Sequence, residues 1–422
     1  MKKLLITFAL LVSLVSASFA ENFFAHRFFE IKLDVPVNIS NNLFGITDLL
    51  QKQVVIDLAE IADNLPENGA SLKADVAPSL SIGIDIPKGL ILGLDIGADA
   101  AASVGLSKDI FDLIGNGNQG KSSNFTQKTT NTYFDLFAHT SITGGWNTKN
   151  SKIKVTGSLF WALAHFDASD TYVKFYSQDN KSGIEANLDA RLYSPVDYSK
   201  DVSDVQAILS SMKNNGGFDI AAEYQRDLFR FLTVGGKVQI PLKPSTLDMC
   251  SMVTTDYAYD FDFEQMFSGE DEGTQNSGSS ESSTNAGDSE ENLIQEAVKL
   301  ASPYKIHRPL KLGASVDFHP FGTLLSTSGY LGVGVRHPFA ENKAETQFYF
   351  DYSVAGRLSL WNVLSFEASH SRIDETFKNE FALALNIRLI EVDAGVSFQS
   401  ASFAKSFTGA GAGAFVTVCL GF

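Results

Sequence analysis

The stretch Gly411–Phe422, GAGAFVTVCLGF, decides how the rest of the chain is read. Ala414, Val416, Val418, Leu420 and Phe422 fall on one face of a strand, and Phe415, Thr417, Cys419 and Gly421 on the other. The sequence stops on an aromatic at the end of the apolar face. A sheet that crosses a membrane must close on itself, because an open edge leaves backbone polar groups in lipid. The stretch is therefore expected to be the closing strand of a barrel. An edge strand of a soluble sheet is the competing reading, and the remaining segments must choose between them.

The other end is expected to be removed. Lys2 and Lys3 precede the apolar run Leu4–Val15, and Ser18-Phe19-Ala20 offers a small-x-small cleavage site, so residues 1–20 read as a secretory signal. That run is too short to span a bilayer as a helix, and no later stretch approaches 18 apolar residues. A spanning protein must then span by strands. The 33 Phe and 33 Gly suit aromatic girdles and crowded, tightly turning strands. The net charge of -16 argues against a nucleic-acid partner. Two cysteines, Cys250 and Cys419, make neither a disulfide framework nor a zinc module. No cofactor is implied.

Alternation recurs along the chain. In Phe29–Ile39, Ile31, Leu33, Val35 and Val37 oppose Glu30, Lys32 and Asp34. Leu92, Leu94 and Ile96 oppose Gly93, Asp95 and Gly97, with Asp99 continuing the polar face. Residues 131–146 and 151–166 form a hairpin, and Tyr172–Gln178 with Gly183–Tyr193 another, in which Glu185, Asp189 and Arg191 share a face. Phe381, Leu383, Leu385 and Ile387 oppose Asn386 and Arg388. Charge on one face is costly in a dry sandwich core and natural in a wet lumen. Glu30, Lys32, Asp34, Asp95, Asp99, Lys154, Glu185, Asp189, Arg191 and Arg388 are thus candidates to line a lumen. Such groups either set the selectivity of a diffusion path or brace the wall by salt bridges; the pattern is common to both.

Two segments change period. Asp48–Leu65 carries a helical stripe that either plugs a pore or packs on a rim, and Val202–Met212 suggests a short amphipathic helix. Residues 268–289, rich in Gly, Ser, Glu and Asp, read as a disordered acidic loop. Tyr257–Phe263 alternates too, but counting it as a crossing makes the strand number odd, and single-chain bacterial barrels close with an even number. The expectation is an all-β, transmembrane antiparallel β-barrel of about 16 strands, in one domain over residues 21–422. About 14 strands remain if Tyr172–Gln178 and a neighbour belong to a loop. The turns at 87–89, 147–150 and 179–181 are then short and share one side, while the long connections share the other.

The stretches ARLYSPVDYS (Ala190–Ser199), GGFDIAAEYQ (Gly216–Gln225), HRPLKLGASVDFHPFG (His307–Gly322) and IRLIEVDAGVSFQSASFAKSFTGAGAGAF (Ile387–Phe415) resemble a family of outer-membrane barrel proteins of spirochaetes. That family brings no established activity. The architecture is similar to the long-chain fatty-acid transporters, although their Asn-Pro-Ala plug signature is missing here. Val416, Val418, Leu420 and Phe422 resemble the C-terminal signal that the barrel-assembly machinery reads, with Leu420 where an aromatic is common. The resemblance implies the outer membrane of a diderm bacterium, with membrane lipid and the assembly machinery as partners.

His139 and Ser141 lie two apart on one strand face with Asp135, a spacing seen in outer-membrane phospholipases. Their opposite face carries Phe134, Leu136, Ala138 and Ile142, which reads as the lipid side, so the pair points inward as a hydrogen-bonded wall and not as a lipase dyad. The histidines lack metal-ligand spacing, and Asp260–Glu272 lacks the fixed ligand spacing of a calcium loop. The function expected is non-enzymatic: a channel or transporter for small solutes or hydrophobic ligands, with a closed, plugged, surface-exposed interaction barrel as the alternative and an outer-membrane hydrolase as a distant one.

Overall fold

The computed structural model describes residues 27–43, 61–63, 65, 69–109, 111–112, 124–128, 132–168, 171–178, 181–197, 205–262, 297–339, 346–373, 376–387, 389–408 and 411–422. The signal segment, most of the 48–65 stripe, the acidic loop and Arg388 lie outside them.

Among the described residues, twenty strands are numbered in chain order. Those of the wall are β1 (Phe29–Asn41), β2 (Ala70–Val76) with β3 (Ser79–Asp85), β4 (Leu90–Leu106), β6 (Tyr133–Asn147), β7 (Ser151–Asp167), β10 (Gly217–Phe229), β11 (Leu232–Lys243), β14 (Leu310–Phe318), β15 (Leu325–Arg336), β16 (Gln347–Leu360), β17 (Leu364–Ile373), β18 (Thr376–Ile387), β19 (Ile390–Ser400) and β20 (Ala412–Gly421). Each pairs antiparallel with the next in that order, and β20 pairs with β1 from Glu30↔Gly421 to Ile39↔Ala412. The result is a closed 14-strand barrel. β2 and β3 count once because their register against β1 is continuous across Ala77 and Pro78 (Val37↔Val76, Asp34↔Ser79). Pro78 has no N–H to give the ladder, so the strand is interrupted there, although its carbonyl still accepts the Ala98 N–H at 3.0 Å.

The turns after β3, β6, β10, β14, β16 and β18 share one end with Phe29 and Gly421. The connections after β1, β4, β7, β11 and β19 share the other. Leu80, Ile82, Leu92, Leu94, Ile96, Phe381, Leu383, Leu385 and Ile387 are exposed on the outside, where lipid replaces water. Asp34, Ser141, Ser158, Asp351, Glu391, Asp393 and Thr417 are buried on the inside. On β20 the inward set is Phe415, Thr417, Cys419 and Gly421, as the alternation requires. No helix among the described residues is long and apolar enough to cross a membrane.

Five strands leave the wall: β5 (Asn124–Lys128), β8 (Tyr172–Gln178), β9 (Lys181–Ser194), β12 (Ser245–Asp262) and β13 (Val298–Ile306). They pair in the order β5–β8–β9–β12–β13, and β9 joins the barrel only at the upper end of β7, from His165↔Tyr193 to Asp167↔Arg191. The wall thus has 14 strands, the lower of the two expected numbers, with Tyr172–Gln178 and its neighbour β9 outside it. β8 and β9 alternate like wall strands, but their partners are other insertions. The connection between Gln178 and Lys181 therefore lies on the long-loop side. Tyr257 and its neighbours, left out of the count on parity, belong to β12 outside the wall. Helix α1 (Val205–Asn215) precedes β10, where Trp161 Nε1 donates to the Met212 carbonyl at 2.6 Å. Helix α2 (Phe403–Ser406) follows β19. Of the 48–65 stripe, residues 61–63 are helical.

Candidate functional site

The interior is unequal around its circumference. Along β16–β20 the charged groups are shut away from water. Arg357 Nε donates to Glu367 at 2.7 Å, Arg357 lies 3.7 Å from Asp393, and Arg27 pairs with Glu391 at 3.3 Å. All five side chains are exposed by 10% or less. Along β3, β4, β7, β10 and β11, Asp85, Asp95, Asp99, Lys152, Lys154, Glu223 and Lys237 are exposed by 22–34%. A wet, charged groove thus runs up one half of the lumen.

Register places its rungs. Nearest the short-turn end, Lys152 pairs with Asp85 at 3.0 Å. Next, Glu223 lies between Lys237, at 3.0 Å, and Lys154, at 4.0 Å. Hydroxyl pairs follow, Thr143 with Thr156 at 2.8 Å and Ser141 donating to Ser158 at 2.9 Å. Above them His139 sits between Asp95 (2.9 Å) and Asp99 (3.2 Å). Gly97 leaves room for that imidazole, since a Cβ there would lie 2.7 Å from His139 Cε1. Arg308 completes the top, 3.0 Å from Asp99 and 3.3 Å from Asp219, with its guanidinium 5.9 Å from the centre of the Phe160 ring.

Over Arg308 the groove meets the base of the β12–β13 hairpin. Leu247 and Ile306 are fully buried against Phe137, Phe160, Ala162, Tyr193 and Cys250. Phe137 and Phe160 are apolar side chains on inward-facing positions, and the hairpin covers the apolar surface that water would otherwise meet. Ser245 Oγ accepts the Ala162 N–H at 2.9 Å and donates to the Asn215 carbonyl at 2.7 Å, which ties the hairpin to both β7 and α1. Higher still, His165 and Tyr193 stack on Tyr304 at 5.0 and 4.2 Å, and His165 Nδ1 lies 2.6 Å from Asp135. His337, just past β15, is 3.6 Å from the same carboxylate; burial pushes its imidazole down to about 4 against the pull of Asp135.

The sequence candidates divide. Asp95, Asp99 and Lys154 come together in the groove. Lys32 and Asp34, 3.8 Å apart, occupy β1, where Asp34 accepts the Thr417 hydroxyl at 2.8 Å; Glu30 shares their strand. Glu185 and Asp189 lie on β9 beyond the wall, and Arg191 lies where β9 meets the upper end of β7. Glu185 accepts from Tyr172 (2.7 Å) and Lys174 (3.3 Å), which hold its carboxyl below the usual range, and Arg191 binds Asp189 through two nitrogens. Asp85, Lys152, Asp219, Glu223, Lys237 and Arg308 were not singled out. Alternation in GGFDIAAEYQ already places Asp219 and Glu223 on one face; nothing local marks Arg308. Ser141 donates to Ser158 and His139 is occupied by carboxylates, so the two are not coupled as nucleophile and base. Among the described residues no group of three or more His, Cys, Asp or Glu is arranged to hold a metal.

A family model described as "Family of unknown function (DUF5723)" matches residues 28–396, and the chain belongs to that family. No curated protein matches the sequence. Among solved structures, a deltaS2S3 mutant of the monoaromatic hydrocarbon channel TodX aligns with a TM-score of 0.48 at 9% identity, covering 97% of this chain and 96% of that one. The Pseudomonas putida toluene transporter TodX gives 0.45 at 9% identity over 95% and 91%. The monoaromatic hydrocarbon channel CymD gives 0.43 at 10% identity over 95% and 90%.

Proposed function

We propose that this member of the family is an outer-membrane channel for small hydrophilic solutes in a diderm bacterium. The observation that carries the reading is the half-lumen groove, in which water-accessible charges of both signs flank hydroxyl rungs between Asp85 and Asp99. A wall braced only for stability would bury its pairs, as the β16–β20 half does. A path for hydrocarbon would present apolar groups along the groove; here Phe137 and Phe160, which face inward at its top, are covered by the hairpin. Glu30, Lys32 and Asp34 extend the polar lining on the β1 side. Val416, Val418, Leu420 and Phe422 serve as the assembly signal, with the barrel-assembly machinery and membrane lipid as partners. Single-channel recording of the purified protein in planar bilayers tests this. Discrete steps whose ion preference changes in Glu223→Gln are expected, and a folded protein silent under every condition, with its loops intact or removed, overturns it.

A second reading rests on the five-stranded excursion sheet, which is a larger external structure than a wall needs. In that reading the barrel displays the sheet to a partner and conducts nothing. Binding that survives replacement of Lys154 and Glu223 but is lost when β8–β9 is removed favours it.

A further inference from the structure

We infer that the β12–β13 hairpin is the stopper of the groove and that Arg308 is the latch that holds it in place. This rests on the channel reading above.

The argument begins with where the hairpin leaves the wall. It is inserted between β11 and β14, whose pairing ends at Gln239↔Lys311. Pro244 stands at one foot and Pro309 at the other. Neither residue has an N–H to give, so the feet are released from the ladder just where the hairpin turns inward. The barrel closes without β12 and β13, because every wall strand keeps both of its neighbours. The hairpin is therefore an accessory to the wall.

Its hold on the interior is of two kinds. Leu247 and Ile306 pack against Phe137, Phe160 and Ala162. Such contact is non-directional and is regained wherever the hairpin settles on apolar surface. Arg308 is different. Asp99 stands on β4 and Asp219 on β10, three wall steps apart through β6 and β7. Adjacent strands lie about 4.8 Å apart, so the two carboxylates belong to distant parts of a curved wall, and the guanidinium spans them as a chord. Asp219 is 1% exposed and Arg308 18%, so screening by salt and water is weak at that end of the chord, while Asp99, 34% exposed, meets water at the other. The planar guanidinium reaches the two acids through separate nitrogens held in a rigid fork; a lysine offers one compact charge without that fork. Arg308 lies two residues past the end of β13, so its fixed position fixes the foot of the hairpin. The same residue caps the groove's top rung, which makes one side chain both the anchor of the stopper and the end of the path.

The test uses the full-length protein in planar bilayers with four variants: Arg308→Gln, Arg308→Lys, Asp219→Asn, and a deletion replacing residues 246–305 with a short flexible linker. Heat-modifiable gel mobility confirms that each has folded. The triple variant Asp99→Asn/Asp219→Asn/Arg308→Gln leaves no buried charge unpaired and stands in if a single variant fails to fold. The expected result is a permanently open deletion variant and a rise in open probability of roughly tenfold or more in the latch variants, Arg308→Lys among them. An open deletion variant with latch variants indistinguishable from wild type overturns the latch and leaves the channel. A folded deletion variant that conducts nothing overturns the channel reading, and the stopper with it.

Discussion

The carbonyl of Phe422 accepts two hydrogen bonds from the opposite end of the barrel strand set, from Phe28 N–H at 2.7 Å and Phe29 N–H at 3.1 Å. Phe422 N–H returns one to the Phe29 carbonyl at 3.1 Å, and its ring lies 6.3 and 5.8 Å from theirs. Deleting Phe422 removes all three backbone bonds and both ring contacts. Phe422→Ala removes only the ring. The deletion should lower the fraction of heat-modifiable, folded protein more than the substitution does; equal loss would place the whole effect in recognition of the side chain.

Arg27 reaches Glu391 by lying across the last strand at Gly421. A Cβ at Gly421 would sit 3.0 Å from Arg27 Cδ and 2.3 Å from the Phe29 carbonyl oxygen. Both charged side chains are 2% exposed, so removing one strands the other. Arg27→Gln should cost about 3–5 kcal/mol, whereas Arg27→Met/Glu391→Met should come out near neutral. Urea titration of the folded barrel in detergent distinguishes them, and a single variant no weaker than the double would show that the pair is not buried in solution.

His337 gives a pH dependence outside the spanning strands. Its pKa in place, about 4, lies below its ordinary value of 6.5. An undocked His337 therefore binds more protons between those values, so docking is strongest above about pH 6.5 and weakens as pH falls toward 4. Asp135 opposes the shift, so Asp135→Asn should lower the pKa further. Ring carbon shifts followed by NMR should show a neutral imidazole from pH 8 down to about 5. A midpoint at the ordinary histidine value would mean that this corner is open to water.

Glu223 lies between Lys154 and Lys237 in the accessible half of the lumen. Glu223→Gln leaves two cations facing the path. In the deletion variant lacking the hairpin, reversal potentials across a salt gradient should move toward anion preference, and Lys237→Gln should move them the other way. Unchanged potentials in both would remove this rung from the path.

Period-two alternation carried the barrel, its closing strand and its inside–outside assignment, because lipid and lumen impose opposite chemistry on successive residues. It could not separate β8 and β9 from wall strands, since any half-wet sheet alternates in the same way. Parity excluded Tyr257–Phe263, but removing a whole hairpin changes the count by two and leaves parity untouched. Parity therefore left both about 16 and 14 strands open, and the structure takes the second. Asp95 and Asp99 were legible from their spacing on β4. Arg308, the partner of Asp99, follows a long insertion, and no local rhythm links it to Asp219, 89 residues earlier.

The shared excursion sheet has a consequence for how this protein can change. β9, inserted after β7, is hydrogen-bonded along β12, inserted after β11, from Met249↔Ser194 to Asp262↔Lys181. Each insertion shields the other's strand edge. A graft that transplants or trims one of them bares a sticky border on its neighbour, so the two should be exchanged between relatives as a matched set, while the short β17–β18 connection is free to vary alone.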